Sequence, residues 1–241
     1  TYNNMYATIS ADVVSSTSLS QESMLKLNDH IKKCLVILED RYSKFWGRIV
    51  RGDTIECVLP SPENALEVAL ILKTWVKSFT PEDKAKDSFN KYGLRIAIGL
   101  GDMKTVNRER DMMDGDAIYK SGRALDSLVG RLKYSFTISM ANKEQEEILK
   151  IMFSLINDLV NTTTARRCRT LCEKILYKDT SLIAKNMGIT ESGVNQNLNA
   201  LCWTSIEQVI EYYKKTILSI ILKGYFVFIP FAFYLSSFRL S

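Results

Sequence analysis

The sequence predicts an α/β (α+β) protein, in which a mixed sheet carries helices and a small all-helical part follows. Three observations indicate this class. Apolar runs of strand length alternate with helical patterns over roughly the first 140 residues. From Lys143 onward only helical patterns occur. The composition of the 241 residues, 46% hydrophobic and 24% charged, is typical of a globular protein.

The first part of the chain predicts the order βαββα. Residues 6–14 form an apolar run of strand length, and a Ser/Thr turn then leads into a helix with apolar residues at helical spacing. Residues 47–50 and 54–59 predict two short strands. A second helix is expected to open at Pro62, because proline favours the first helical turn.

The remaining elements follow from the same patterns. Residues 93–100 predict a fourth strand, 112–116 a loop, 117–128 a helix and 133–140 a fifth strand. Helices are then expected over 143–161 and 165–177, on both sides of Gly188, and from Ser205 onward. This organisation predicts an α/β domain over 1–141, a helical domain over 142–215 and an apolar C-terminal segment over 216–241.

Composition excludes some chemistry. The only histidine, His30, lies in a helical pattern and is expected to be an ordinary surface residue without a partner, which argues against triad catalysis and imidazole-bound zinc. Five cysteines are odd in number and lack metal-ligand spacing, so reduced thiols in a cytoplasmic setting are expected. The net charge of +5 permits an anionic partner without requiring one.

The C-terminal segment leaves two alternatives open. Residues 217–235 are apolar, nearly long enough to cross a bilayer and flanked by Lys214, Lys215 and Arg239. Lys223 and Pro230 interrupt the run, so a terminal helix and strand packed on the body or on another subunit is the alternative. No secretory signal pattern occurs at the start. The expectation is a cytoplasmic protein, with membrane association through this segment as the open question.

Two acids follow apolar strand patterns. Asp12 ends the first, and Asp53 follows Arg51 and Gly52 between the second and third. Carboxylates from neighbouring strand ends can share Mg²⁺ or Mn²⁺, with the carbonyl of Val13 as a third oxygen ligand. Gly52 would let a phosphate approach the backbone and Arg51 could neutralise it. The alternative is a tight turn whose aspartate bonds its own backbone.

A second candidate group opens the helix predicted over 117–128. Gly115 precedes this helix, and Arg123 shares a face with Tyr119 at i, i+4 spacing. Arg123 could hold a phosphate oxygen or pair with Asp126 at the surface.

The helical part predicts a helix-turn-helix. A short helix over 180–187 is followed by a turn at Gly188 and by Thr190, a favourable N-cap for the next helix. The exposed face is expected to carry side chains able to read base edges and contact phosphates: Lys185, Ser192, Asn195, Gln196 and Asn199. Arg166, Arg167 and Arg169 are a further candidate phosphate contact. The alternative is a helical hairpin used only for packing or dimer contact.

These motifs together resemble class III nucleotidyl cyclase domains. The segments that match, in the same order, are residues 11–17, 47–53 with 60–66, 94–99, and 115–119 with Arg123. Within that group the chain resembles SatD-like proteins of bacteria, in which such a domain is joined to a C-terminal helix-turn-helix, here residues 180–213. The resemblance implies a palm-like mixed sheet.

The resemblance also implies roles for individual residues. Asp12 and Asp53 fall on the two metal-binding aspartates, and Arg123 falls on the arginine that stabilises phosphoryl transfer. Two positions depart from the pattern: Tyr119 stands where cyclases have asparagine, and Ile49 where they have a purine-reading lysine. Class III sites usually form between two chains, so a homodimer is implied.

Three functions are therefore expected from the sequence. The first is a DNA-binding regulator whose cyclase-like domain binds a nucleotide and a metal ion. The second is an active nucleotidyl cyclase or related phosphoryl-transfer enzyme. The third is a membrane-tethered adaptor anchored by residues 217–235.

Overall fold

The computed structural model describes residues 5–50, 52–81, 87–130 and 135–227. The first part of the chain contains β1 (Met5–Val13), α1 (Gln21–Arg41), β2 (Trp46–Val50), β3 (Thr54–Leu59), α2 (Ala65–Ser78), α3 (Asp87–Tyr92), β4 (Leu94–Asn107), β5 (Met112–Gly115), α4 (Asp116–Asp126) and β6 (Phe136–Ser139). Five helices follow: α5 (Lys143–Thr162), α6 (Ala165–Tyr177), α7 (Thr180–Met187), α8 (Glu191–Ala200) and α9 (Trp203–Val227).

The strands form one mixed sheet. Its antiparallel part has the order β2-β3-β1-β4, and β6 pairs with β4 in parallel. The chain order βαββαβ with β1 and β3 at the centre is the split βαβ arrangement of ferredoxin-like sheets. The predicted α+β class, a palm-like mixed sheet carrying helices, is confirmed.

One predicted loop is wrong. Residues 112–115 form β5, which pairs with the second half of β4 in an antiparallel hairpin, and β4 consequently runs to Asn107 instead of ending at residue 100. The register shifts between Met103 and Thr105. Since this hairpin is short and mixes apolar and polar residues irregularly, it lacks the apolar alternation from which strands are recognised.

The hydrophobic core continues from the sheet into the helical part. Side chains of α5, α6 and α9 belong to the same buried cluster as those of β1, β3, β4, α1 and α2. The buried side chain of Tyr213 in α9 returns to the first half of the chain, where its hydroxyl donates to the carbonyl of Pro62 at 3.0 Å. The predicted boundary at residue 142 coincides with the N-cap of α5, and the core crosses it.

Helix α2 is buried almost all round, because the sheet covers one side and α6 packs on the other. Two lysines of this helix, Lys73 and Lys77, are buried with it. The Lys73 ammonium donates to the carbonyls of Tyr92 (3.2 Å) and Leu94 (2.8 Å) and to Ser135 Oγ (2.9 Å). Desolvation, aided by the positive charge of Lys77, lowers the pKa of Lys73 to about 7.

The expectation for His30 is wrong. Its ring stacks on Trp75 with 4.8 Å between the ring centroids, and its Nε2 lies 3.0 Å from the carbonyl oxygen of Trp75. Partial burial lowers the pKa of His30. The five cysteines are free thiols, and all except Cys202 are buried.

The apolar C-terminal run begins inside a long helix. α9 starts at Trp203, two residues before the predicted start, and Ile217 is buried in the main core. Residues 228–235 lie outside the described residues. Within the part of the chain that the structure describes, no helix has the length and apolar character needed to cross a membrane.

Candidate functional site

The fold brings the backbones of Asp12 and Asp53 together. Asp12 lies near the end of β1 opposite Thr54, and the next amide, Val13 N–H, donates to the carbonyl of Asp53 at 3.0 Å. Gly52 has φ +83°, the left-handed turn conformation that glycine adopts readily, and a Cβ at this position would meet no atom within 4 Å. This turn is therefore open on its outer side. Arg51 lies outside the described residues.

Each of the two carboxylates has its own orienting partner. Arg95, directly opposite Asp12 on β4, forms a bidentate ion pair with it; the Nε–Oδ1 distance is 3.0 Å, and a terminal guanidinium nitrogen bonds Oδ2. The two side chains are 18% and 22% exposed, so the pair is largely shielded. Ser16 Oγ donates to Asp53 Oδ2 at 2.8 Å. Sequence reasoning missed Arg95 and Ser16.

These residues fit a hard divalent cation as part of its ligand set. Among the described residues no group of three or more His, Cys, Asp or Glu side chains could hold a metal ion. A carboxylate has about four acceptor positions, and a bidentate arginine uses two of them, so Asp12 can bind Arg95 and still ligate. Mg²⁺ commonly takes only one or two protein carboxylates and completes its shell with water and substrate phosphates. Asp12, Asp53 and the carbonyl of Val13 match that pattern in donor type.

Helix α4 lies unusually close to the sheet. A Cβ on Gly99 of β4 would stand 2.3 Å from the carbonyl oxygen of Ala117 and 2.5 Å from the amide nitrogen of Ser121, so only glycine allows this approach. The Ser121 hydroxyl lies 2.9 Å from that of Thr8 and 2.8 Å from that of Ser10. These contacts fix α4 on the face of β1 that also carries Asp12.

Gly115 has a packing role at the start of α4. A Cβ there would lie 2.6 Å from both the Asp102 carbonyl oxygen and the Met103 Cα, so the close approach of β5 to β4 requires glycine. This contact accounts for the glycine without a bound ligand.

Within the described residues, Arg123 makes no hydrogen bond or ion pair with Asp12 or Asp53. Arg123 is exposed on α4, and its Nε donates to the carbonyl of Tyr119 at 3.1 Å; the alternative pairing with Asp126 does not form. The hydroxyl of Tyr119 donates to Asp114 at 2.5 Å. Among the described residues, the terminal guanidinium nitrogens of Arg123 have no carboxylate partner.

Helices α7 and α8 form a small unit on α6. Gly188 ends α7 with φ +62°, and Thr190 caps α8 by accepting from Gly193 N–H at 3.1 Å, so a three-residue turn joins the helices. Ile183 and Val194 are central to its own hydrophobic cluster. The predicted candidate side chains are all exposed: Lys185, Ser192, Asn195, Gln196 and Asn199.

The predicted arginine cluster is divided. Arg169 forms an ion pair with Glu173 and its guanidinium lies 4.8 Å from the centre of the Trp75 ring. It is therefore engaged in the body of the protein, whereas Arg166 is exposed.

Comparison with known proteins gives fold neighbours only. No family model and no curated protein matches the chain. A bacterial light-regulated adenylyl cyclase shares 13% identity at a TM-score of 0.40, over 56% of this chain and 75% of that chain. The GGEEF domain of a diguanylate cyclase from Vibrio cholerae shares 12% sequence identity at a TM-score of 0.42, over 58% of this chain and 85% of that chain. The guanylyl cyclase domain of the RhoGC fusion protein from Blastocladiella emersonii shares 18% sequence identity at a TM-score of 0.39, over 52% of this chain and 74% of that chain.

Proposed function

We propose that this protein binds a nucleoside triphosphate together with Mg²⁺ or Mn²⁺ at the carboxylates of Asp12 and Asp53. One observation carries the proposal: β1 and the β2–β3 turn hold these acids at adjacent backbone positions, each oriented by a separate partner. Ligating carboxylates in metal sites are typically held in this way by further hydrogen bonds. The resemblance to class III cyclase motifs supports the same assignment.

The charges of the site suit a metal–triphosphate complex. Among the described residues of the site, Asp12, Asp53 and Arg95 together carry one net negative charge, which favours a divalent cation over a free triphosphate. When bound, the metal would polarise the phosphate oxygens. Arg95 and Ser16 act as positioning residues, because they hold the carboxylates in one orientation, while the open turn at Gly52 leaves room for a phosphate beside the backbone.

The enzymatic form of this proposal is nucleotidyl cyclisation or related phosphoryl transfer in a homodimer. Arg123 supports it, since its terminal nitrogens face solvent and are available to a phosphate held by a second copy of the chain. Tyr119 and Ile49 stand where class III cyclases carry polar residues toward the nucleotide. A base other than a purine would suit these substitutions, and a nucleotide-binding regulator without turnover is the other form.

We expect Asp53→Asn to weaken Mn²⁺-dependent triphosphate binding at least tenfold, because the amide replaces an anionic ligand. Calorimetric titration with each of the four nucleoside triphosphates and Mn²⁺ measures this, and chromatography of the same mixtures detects cyclic product or pyrophosphate. Asp29→Asn is the matched control, since Asp29 is an exposed carboxylate on α1 paired with Lys32 at 3.5 Å. Product would identify an enzyme, and binding without product a sensor. Binding that Asp53→Asn leaves intact would contradict the site.

DNA binding by α8 is the second proposed function. It is supported by the exposed amide face and by the three-residue glycine-containing turn, which is typical of helix-turn-helix pairs. Asparagine and glutamine can pair with adenine through two hydrogen bonds in the major groove. Helix α6 contacts α2 on one side and α7 and α8 on the other, so a nucleotide could influence DNA affinity only if it biases this shared helix.

We expect Asn195→Ala combined with Gln196→Ala to reduce specific DNA affinity more than tenfold, since each lost bidentate contact is worth about 1–3 kcal/mol. Duplexes enriched from a random pool by binding to the full chain, followed by gel shifts at several salt concentrations, measure the effect. Gln208→Ala, an exposed amide on α9, serves as the control. An unchanged shift in the double variant would refute the proposed recognition face.

A further inference from the structure

We infer that a basic groove beside α4 binds the phosphate group of a small phosphorylated molecule, at a site distinct from Asp12 and Asp53. The groove has a volume of about 410 Å³ and lies between α4, β6 and the start of α5. Four cationic side chains line it: Lys120, Arg123, Lys143 and Lys150. Arg123 is also the residue that the enzymatic proposal assigns to a nucleotide phosphate on a second copy of the chain, whereas nothing in the proposed metal site uses the three lysines.

The groove keeps an excess of positive charge after its ion pairs are counted. Asp116 pairs with Lys120 at 2.6 Å, and Glu146 pairs with both Lys143 (2.9 Å) and Lys150 (2.6 Å). Four cations and two anions leave two positive charges. An anionic ligand would neutralise this excess.

Glu146 fixes two of the cations before any ligand binds. Its side chain is only 7% exposed, and its carboxylate also accepts from the amide of Met140 at 2.7 Å. The ammonium groups of Lys143 and Lys150 are held at this anchor, and each has three donors, so both keep N–H groups for a ligand. Prior ordering reduces the side-chain entropy lost on binding.

Strand β6 adds hydroxyl donors to the groove. Thr137 and Ser139 are alternate residues of the strand, so they share one face of the sheet, and both line the groove. Neither hydroxyl has a hydrogen-bond partner within the described ranges. Hydroxyl donors beside ammonium groups form the type of environment that binds phosphate oxygens.

A second cavity beside the groove indicates what the part of the ligand beyond its phosphate is like. It has a volume of about 230 Å³, shares Asp116 and Lys120 with the groove, and is lined by apolar side chains that include Met5, Met140 and Ile220. Two neighbouring cavities with these volumes fall in the size range of small-molecule sites. They suit a phosphorylated molecule with an apolar or aromatic ring better than a nucleic acid, which binds across open surfaces.

The test uses inorganic pyrophosphate titrated calorimetrically into the full chain in the presence of EDTA. We expect binding to the wild type and at least tenfold weaker binding to Ser139→Asp, which places a carboxylate among the cations. Lys150→Gln should weaken binding severalfold. Lys26→Gln, which removes a comparable i, i+4 ion pair with Glu22 on α1, should bind like the wild type. Asp53→Asn should also bind normally, which separates this site from the metal site.

Several results would overturn the inference. These are no binding by the wild type in EDTA, unchanged binding by Ser139→Asp, or loss of binding in Asp53→Asn. Competition by a random DNA duplex but by no nucleoside monophosphate would refute a small-molecule ligand. Thermal unfolding of each variant checks folding, and Ser139→Ala with Lys150→Gln replaces Ser139→Asp if that variant fails to fold.

Discussion

Replacing Gly99 with alanine is expected to lower the free energy of unfolding by about 3 kcal/mol, at the upper end of the usual cost of overpacking. The new methyl group would lie 2.3 Å from the carbonyl oxygen of Ala117 and 2.5 Å from the amide nitrogen of Ser121. Both are backbone atoms of α4, so no rotamer change relieves the clash. The helix has to move away from the sheet, which also separates the Ser121 hydroxyl from those of Thr8 and Ser10.

Chemical denaturation of the variant and the wild type measures this effect. Gly122→Ala is the matched control, because Gly122 lies in the same helix and a Cβ there meets no atom within 4 Å. Alanine at that position should raise stability by up to about 1 kcal/mol, owing to its higher helix propensity. Equal stabilities of the two variants would show that α4 does not approach the sheet as closely as described.

Stability is expected to rise with pH between about 7 and 10 because of Lys73. The folded protein lowers the pKa of this ammonium from its ordinary value to about 7, chiefly through desolvation. In that window the unfolded chain binds a proton that the folded chain has released, so the free energy of unfolding increases with pH. Below pH 7 both states are protonated and this contribution is constant. One proton corresponds to about 1.4 kcal/mol per pH unit.

The measurement is the difference in the pH dependence of unfolding between the wild type and Lys73→Met. The variant removes this titration and should show a slope lower by up to about 1.4 kcal/mol per pH unit in the same window. Comparing slopes rather than stabilities avoids the separate cost of leaving the carbonyls of Tyr92 and Leu94 without their donor. Lys32→Met, at an exposed position on α1, controls for loss of a lysine. Parallel curves for wild type and Lys73→Met would mean that Lys73 keeps its proton.

The central strands could be predicted because their burial leaves an apolar signal in the sequence. β1 and β3 lie at the centre of the sheet and consist mainly of buried residues, and the structure confirms both to within one residue at each end. β5 could not be predicted, since it is a short strand without apolar alternation that is ordered by its hairpin partner and by the packing of Met113 on a small buried cluster.

The two acids of the candidate site could be predicted from the sequence, but the side chains that orient them could not. Asp12 and Asp53 stand out because acids in apolar runs are unusual. Arg95 is 83 residues from Asp12 in sequence and meets it only through the register of β1 with β4. Pattern analysis gives strands but not their registers. The one signal in the sequence that could have pointed to Arg95 is its position between Leu94 and Ile96, where a charged residue interrupts a buried apolar strand.

The sequence around Lys73 also gives no indication that this lysine is buried. The pattern of α2 indicates one apolar face, and its lysines would ordinarily lie in solvent. They are buried because segments distant in sequence cover the helix: α6 packs on α2, and the end of α5 supplies carbonyls to the Lys77 ammonium. The stacking of His30 on Trp75 has a similar origin, since it joins two helices whose packing is not encoded by either alone.

The return of α9 to the first half of the chain affects how pieces of this protein can be produced. A fragment ending at residue 141 would lack the side chains of α5, α6 and α9 that complete the main core, including Tyr213. The apolar surface of α2 that α6 covers in the full chain would then face solvent and promote self-association of the fragment. Recombinant work on the nucleotide site is therefore best done with a polypeptide that extends at least through Ile217.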